Sequence, residues 1–435
     1  MGSSVRELAA ATPGTRDRYI DLLRVASLAT VVLGHWLMAV VTGDGVGNLL
    51  AVVPELQLLT WALQIMPVFF FVGGFSHALS YRSLRRGQPD GSVYSAFLRA
   101  RLQRLLRPTM VFILVWGAAA LIVQLLGGDG GLTAVALRLV AQPLWFIGIY
   151  LAMVAFTPPL LKLHERYGWG AFGALVAGAV LVDGLRFVAH VPFVEFLNFA
   201  FVWLAVHQLG FLRADGRIRM PSLLAVSGLV AAAGLVALGP YPLSMVGLPG
   251  EKVSNMAPPS LALLCHGLWL VGAVELLRTP GTRLVRRAGV WRAVVAANGI
   301  AMTAFLWHLT AMLGVYGALL ALDVPLPEPA SAAWWAQVPV RIAVAAALTA
   351  LLVAAFRTFE RPVRTTPATG SGPIAALGIT LCLFGVLGLS MVGFGGMLEG
   401  KTAMLVAVRV SAPAAVAMAL IGWLLVERAG RGRRS

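Results

Sequence analysis

Within the stretch YIDLLRVASLATVVLGHWLMAVV, Tyr19 to Val41, a guanidinium and an imidazole stand eleven residues apart at Arg24 and His35. Eleven helical steps return the chain to within about 20° of the same face and advance it by about 16.5 Å. Asp21 lies one turn before Arg24, close enough to pair with it. An imidazole titrates near neutrality and can act as general base toward a hydroxyl. A guanidinium at the entrance can hold a phosphate or a carboxylate. The same pair also fits a structural reading, in which His35 links helices by a hydrogen bond and Arg24 anchors an interface.

A second basic group precedes an apolar run in RLQRLLRP, Arg101 to Pro108. Arg104 and Arg107 lie one turn apart and can address one phosphate group, while Pro108 suits a first helical turn. FRTFERPVR, Phe356 to Arg364, is a third basic cluster, with Glu360 able to lock one arginine. Scattered His77, His207, His266, Asn298 and His308 read as interhelical hydrogen-bonders. His164 and His190 read as loop residues. Cys265 and Cys382 lack metal-ligand spacing, so neither a metal site nor a disulfide framework is expected.

The elements that must carry these groups are apolar. The chain of 435 residues is 59% hydrophobic and 12% charged, about half the charge usual for soluble domains. Its apolar runs are long enough to cross a bilayer, and the reading is an all-α polytopic membrane protein of about 10–12 transmembrane helices. Twelve runs are expected near 20–43, 56–80, 108–126, 138–161, 168–187, 192–212, 220–240, 258–277, 292–320, 334–356, 372–394 and 403–426. With the N-terminus cytoplasmic, most of the 34 lysines and arginines fall on the cytoplasmic side, the bias expected of topology. Attraction to anionic lipid heads accounts for the charge, and no aromatic-interleaved basic platform points to nucleic acid. The N-terminus, and with it the C-terminus, is placed in the cytoplasm and the chain in the cell membrane.

At this point the chain resembles the membrane-bound acyltransferase-3 family, the OafA-like O-acyltransferases. IDLLRVASLATVVLGH carries the family's basic residue, ten intervening residues and histidine. FFFVGGF, RLLRP, PLWFIGIYL, AFLWHLT and FERP follow in the family's order. The resemblance covers roughly residues 17–362. It departs at FVGGF, where Gly73 stands in place of the usual serine and Ser76 lies a full turn away. It implies residues 1–18 as a cytoplasmic tail, 19–362 as the membrane domain and 363–435 as an extension with one or two further helices.

The activity implied is transfer of an acyl group from acetyl-CoA or another acyl-CoA, met at the cytoplasmic face. The acceptor is a hydroxyl of a carbohydrate, lipid-linked or other envelope molecule. His35, with Arg24 and Asp21, would be catalytic, and Arg24, Arg104 and Arg107 would hold the donor phosphates. A covalent acyl-histidine would fit the same residues. The rival reading is a twelve-helix secondary transporter, but the two halves of the chain show no matching motif.

Overall fold

The structure, a computed structural model, describes residues 5–42, 45–87, 93–128, 130–248, 250–360, 372–406 and 408–429. Helix α1 (Val5–Ala10) and helix α2 (Arg18–Met38) lead into a two-stranded sheet of β1 (Ala39–Thr42) and β2 (Gly45–Asn48). Two single turns, α3 (Leu49–Val52) and α4 (Thr60–Leu63), precede α5 (Met66–Gly87). The next four helices are α6 (Val93–Leu125), α7 (Gly131–Leu139), α8 (Pro143–Tyr167) and α9 (Trp169–Phe187). They are followed by α10 (Asn198–Ala214), α11 (Pro221–Leu238), α12 (Leu261–Leu276), α13 (Arg278–Val285) and α14 (Ala288–Asn298). Then come α15 (Ala301–Ala321), α16 (Ala332–Phe356) and α17 (Gly372–Val392). An antiparallel pair, β3 (Thr402–Leu405) and β4 (Val408–Ser411), leads into the last helix, α18 (Ala412–Ala429).

Among the described residues, 11 helical stretches are long and apolar enough to cross a membrane, or up to 12 if the bent α12–α13 pair is one span. The protein is therefore a polytopic helical membrane protein, as its composition requires.

Several boundaries differ from the apolar runs, each for a local reason. Pro108 lies inside α6 rather than at its start. The residues from Val93 onward are mostly good helix formers and carry the helix through the proline. The run at 56–80 is broken at Gln64–Ile65, because Pro67 occupies the first turn of α5 and cannot continue a preceding helix. The run at 292–320 splits at Gly299, so Asn298 ends α14 and only His308 belongs to α15. The start of the run at 403–426 is a hairpin, which places Arg409 on β4 and Pro413 in the first turn of α18. α8 extends to Tyr167 and carries His164 within it, not in a loop.

The chain separates into two compact units, Met1–Met38 with Asn48–Ala78 and Pro159–Ala301, and Ala39–Gly47 with Leu79–Pro158 and Met302–Ser435. In the first, Asp183 on α9 ties several segments together. It accepts from Asn198 Nδ2, Tyr241 Oη and the Leu261 backbone N–H, each at 2.8 Å. Burial, then the charge and hydrogen bond of Asp183, push the Tyr241 hydroxyl pKa far above its usual value, so it stays a donor.

The core of the second unit is aromatic. Trp307 on α15 stacks on Phe356 at 4.2 Å between ring centres and meets Phe112 of α6 edge-on at 5.2 Å. Phe305 meets Phe146 of α8 at 4.8 Å. The C-terminal pair α17 and α18 packs together and against α6 within this unit.

Candidate active site

Helix α2 begins where a carboxylate can cap it. Asp17 Oδ1 accepts from the Tyr19 and Ile20 backbone N–H groups at 3.1 and 3.4 Å, satisfying donors left over at a helix start. Its other oxygen accepts from Arg213 Nη2 on α10 at 3.0 Å, while Arg213 Nε reaches Glu275 Oε1 on α12 at 2.8 Å. One buried arginine between two carboxylates thus joins the start of α2 to the ends of α10 and α12. Tyr19 adds a hydrogen bond from its hydroxyl to the Val274 carbonyl oxygen.

One turn further along α2, Asp21 is buried and fully occupied. It accepts from Arg16 Nε at 2.6 Å and Nη2 at 3.0 Å, and from Arg24 Nη1 at 2.8 Å. The hydrogen bond to Asp21 raises the Arg16 pKa, against the lowering effect of its own partial burial. The pairing of Asp21 with Arg24 expected from their spacing is present. The other end of the Arg24 guanidinium donates from Nη2 to Ser76 Oγ on α5 at 2.8 Å. Arg24 is therefore held on two sides, yet its side chain remains 26% exposed.

α5 reaches this position by close packing on α10. A Cβ built on Gly74 would collide with the His207 carbonyl oxygen, and one on Gly210 with the Phe71 carbonyl oxygen and the Phe75 nitrogen. The two backbones meet where neither glycine can be replaced without movement. Gly74 thus has a packing role, and Ser76, two residues on, comes to face Arg24.

α2 runs without a break to Met38, so the eleven-residue relation between Arg24 and His35 holds along a single helix. His35 is half-buried. The imidazole lies about three turns beyond the guanidinium on nearly the same stripe.

The other histidines divide clearly. His266 bonds the Trp61 carbonyl oxygen at 2.9 Å, beside Trp269 Nε1, which donates to the same oxygen at 3.1 Å. The His77 and His207 rings lie 5.2 Å apart in the α5–α10 interface. His164 is fully buried, with Nε2 2.9 Å from Asp215 Oδ2 and Nδ1 3.4 Å from Gln208 Nε2. Both of its ring nitrogens are engaged in joining α8 to the end of α10. His308 Nδ1 bonds the Phe305 carbonyl oxygen in its own helix. Among the described residues no group of three or more His, Cys, Asp or Glu could hold a metal ion.

In the second unit, Arg104 is exposed and Arg107 half-buried, both on the first half of α6. Glu360 is not free to lock an arginine as its sequence context suggested. Its carboxylate accepts from the backbone N–H groups of Met302 at 3.1 Å and Thr303 at 2.9 Å, and from Thr303 Oγ1 at 2.7 Å. These are donors at the start of α15 that have no partner within the helix, and Glu360 caps them from afar. Arg104 acts on this carboxylate electrostatically. Arg361, Pro362 and Arg364 of the same sequence cluster lie outside the described residues.

The structure thus brings Asp21, Arg24 and Ser76 together, keeps His35 on the same helix, and separately sets Arg104 near Glu360. Ser76 was visible in the sequence but not its pairing with Arg24, 52 residues away, and Arg16 and Arg213 gave no sequence signal because they are charges inside otherwise ordinary flanks. No curated protein and no solved structure matches the chain. Residues 17–359 match the profile of an acyltransferase domain, Acyl_transf_3. That stretch contains Asp21, Arg24, His35, Ser76, Arg104 and Arg107 and covers well over half of the sequence; the chain belongs to the acyltransferase-3 family of membrane acyltransferases.

Proposed function

We propose that the protein is an O-acyltransferase that moves an acyl group, acetyl in the first instance, from a coenzyme A thioester to an acceptor hydroxyl. The acceptor class is a glycan, a glycolipid or another envelope or secondary-metabolite molecule. The observation that carries this reading is the Arg24 guanidinium held by Asp21 and Ser76 on the same unbroken helix as His35.

In this reading His35 takes the proton of the acceptor hydroxyl. The oxygen forms the new bond to the thioester carbonyl carbon, the carbon–sulfur bond breaks, and the departing thiolate receives the proton from the imidazolium. Arg24 orients a phosphate or the developing negative charge, with Asp21 and Ser76 fixing its plane. Arg104 and Arg107 grip donor phosphates as charged, bidentate donors. Residues 1–18, 19–362 and 363–435 serve as tail, catalytic membrane domain and extension. The strong bias of basic residues supports a cytoplasmic N-terminus and donor supply from that side. Counting the bent α12–α13 pair as one span gives an even number of crossings, which supports a cytoplasmic C-terminus and a multi-pass place in the cell membrane.

The test is acyl transfer itself. Membranes containing the wild-type chain, supplied with labelled acetyl-CoA, should label a glycan or lipid fraction identified by mass spectrometry. His35→Ala should insert normally and lower that labelling by roughly 100-fold or more, the usual contribution of a general base. Undiminished labelling in the mutant removes His35 from the reaction. Substrate accumulation in proteoliposomes without any acyl donor would instead favour transport.

A further inference from the structure

α12 and α13 are bent by 55° where the chain leaves an apolar span. Across this bend, Arg278, Arg283, Arg286, Arg287 and Arg292 are all exposed. No acidic residue occurs between Leu276 and Leu322. Glu275, within electrostatic reach of Arg278, is already held by Arg213. The arginines do not stand on a purely polar surface. Leu276, Leu277 and Leu284 are exposed by 51%, 58% and 41%. Leu277 is the junction residue at the bend, and Leu284 lies four residues beyond exposed Pro280, on the same stripe of α13.

The opposite face of the segment is fixed to the protein. Gly281 packs on the ring of Tyr19, where an added Cβ would collide, and both α13 and α14 pack on α2. Trp291 is buried with Ala9 and Val294, donates from Nε1 to the Ala9 carbonyl oxygen at 3.3 Å, and carries Arg18 over its ring at 4.9 Å. The first turns of the N-terminal segment are therefore part of the same support.

A short helix that leaves a span at an angle, with exposed leucines at its junction and along its length and arginines beside them, has the composition of a segment lying in the headgroup region. Arginine stems can follow the apolar boundary while their guanidiniums bind phosphate. We propose that α13 and the start of α14 form a docking platform for acidic phospholipid headgroups of the protein's own membrane. Leu277 and Leu284 enter the acyl boundary, and Arg283, Arg286, Arg287 and Arg292 bind the headgroup phosphates. Charge complementarity decides the occupant, because the segment carries five guanidiniums and no carboxylate of its own. Since the platform rests on Tyr19 and α2, lipid bound there braces the helix that carries Arg24 and His35. The platform stands independently of the acyl-transfer reading.

The experiment uses the full chain in nanodiscs of mixed phosphatidylcholine and phosphatidylglycerol, with retained lipid counted by native mass spectrometry. Wild type should retain phosphatidylglycerol preferentially. The triple variant Arg283→Gln, Arg286→Gln, Arg287→Gln should lose that preference by on the order of 100-fold, at roughly fivefold per charge. Leu277→Asn with Leu284→Asn should weaken retention of both lipids. An equal charge loss at the end of α5, Arg82→Gln, Arg85→Gln, Arg86→Gln, should lower the preference far less. Equal losses in the two triple variants, or none in either, would overturn the platform. So would displacement of wild-type phosphatidylglycerol by soluble coenzyme A, which would make the surface a site for dissolved phosphates.

Discussion

Arg24 Nη2 donates to Ser76 Oγ at 2.8 Å, so a guanidinium on α2 takes its orientation partly from a hydroxyl on α5. The sequence offered Gly73 where the family usually has serine, and Ser76 a turn later. The structure gives Ser76 its own partner. With Asp21 holding Nη1, the plane of the guanidinium is set from two helices. Ser76→Ala should leave Asp21 as the main anchor and let that plane swing. A hydrogen bond to a charged group contributes about 1.5–3 kcal/mol, which the partial exposure of Arg24 reduces. The expected result is a fall in kcat/KM for acyl transfer of roughly 3–30-fold with little change in expression. Ser76→Thr, which keeps the hydroxyl, should recover most of the activity. An alanine variant with wild-type kinetics would make the contact incidental.

Arg107→Gln addresses the donor side. A guanidinium that grips phosphate contributes mainly to binding, so its loss should raise the acyl-CoA KM by about tenfold while kcat changes little. Arg104→Gln should act similarly and also remove a positive neighbour of Glu360. Initial rates at a series of acetyl-CoA concentrations separate the two parameters. An unchanged donor dependence in both variants would withdraw the phosphate role from α6.

The helical membrane architecture was legible because long apolar runs and a one-sided distribution of basic residues are themselves consequences of the bilayer. The pairing of Asp21 with Arg24 was legible because it is local, lying within one turn of one helix. Breaks within spans were less visible. Residues 402–411 are apolar and β-branched enough to continue a helix or form a hairpin, and periodicity alone does not separate the two. His164 looked like a loop residue because LKLHERY is polar, yet α8 continues past the apolar run and buries the imidazole against Asp215. Ser76 and Glu360 meet their partners 52 and 57–58 residues away, so no pattern in the chain could have paired them.

Gly74 provides a test of packing rather than chemistry. Its missing side chain lets α5 approach the His207 carbonyl, and the reciprocal approach at Gly210 admits the α5 backbone. Gly74→Ala would gain about 1 kcal/mol of helix propensity in isolation. Here the methyl group meets backbone rather than a movable side chain, so helix separation must follow, and overpacking of this kind costs about 1–3 kcal/mol or more. The variant should melt at lower temperature in detergent than wild type and be less active in proportion. A higher melting temperature would show that the two helices have room to spare.

Glu360 makes a different kind of claim, because its carboxylate serves the start of α15 rather than an arginine. Removing it in Glu360→Ala leaves the Met302 and Thr303 N–H groups and the Thr303 hydroxyl without their acceptor. Loss of a helix cap costs about 0.5–2 kcal/mol, and unsatisfied buried donors cost about 1–3 kcal/mol each. Glu360→Gln keeps one acceptor oxygen at the same length, so it should preserve more of the cap while losing the charge seen by Arg104. The expected order of thermal stability is wild type, then glutamine, then alanine, measured by unfolding of the purified chain in detergent. If alanine and glutamine are equally destabilised, the charge toward Arg104 matters more than the cap. If neither is destabilised, the start of α15 does not depend on this carboxylate.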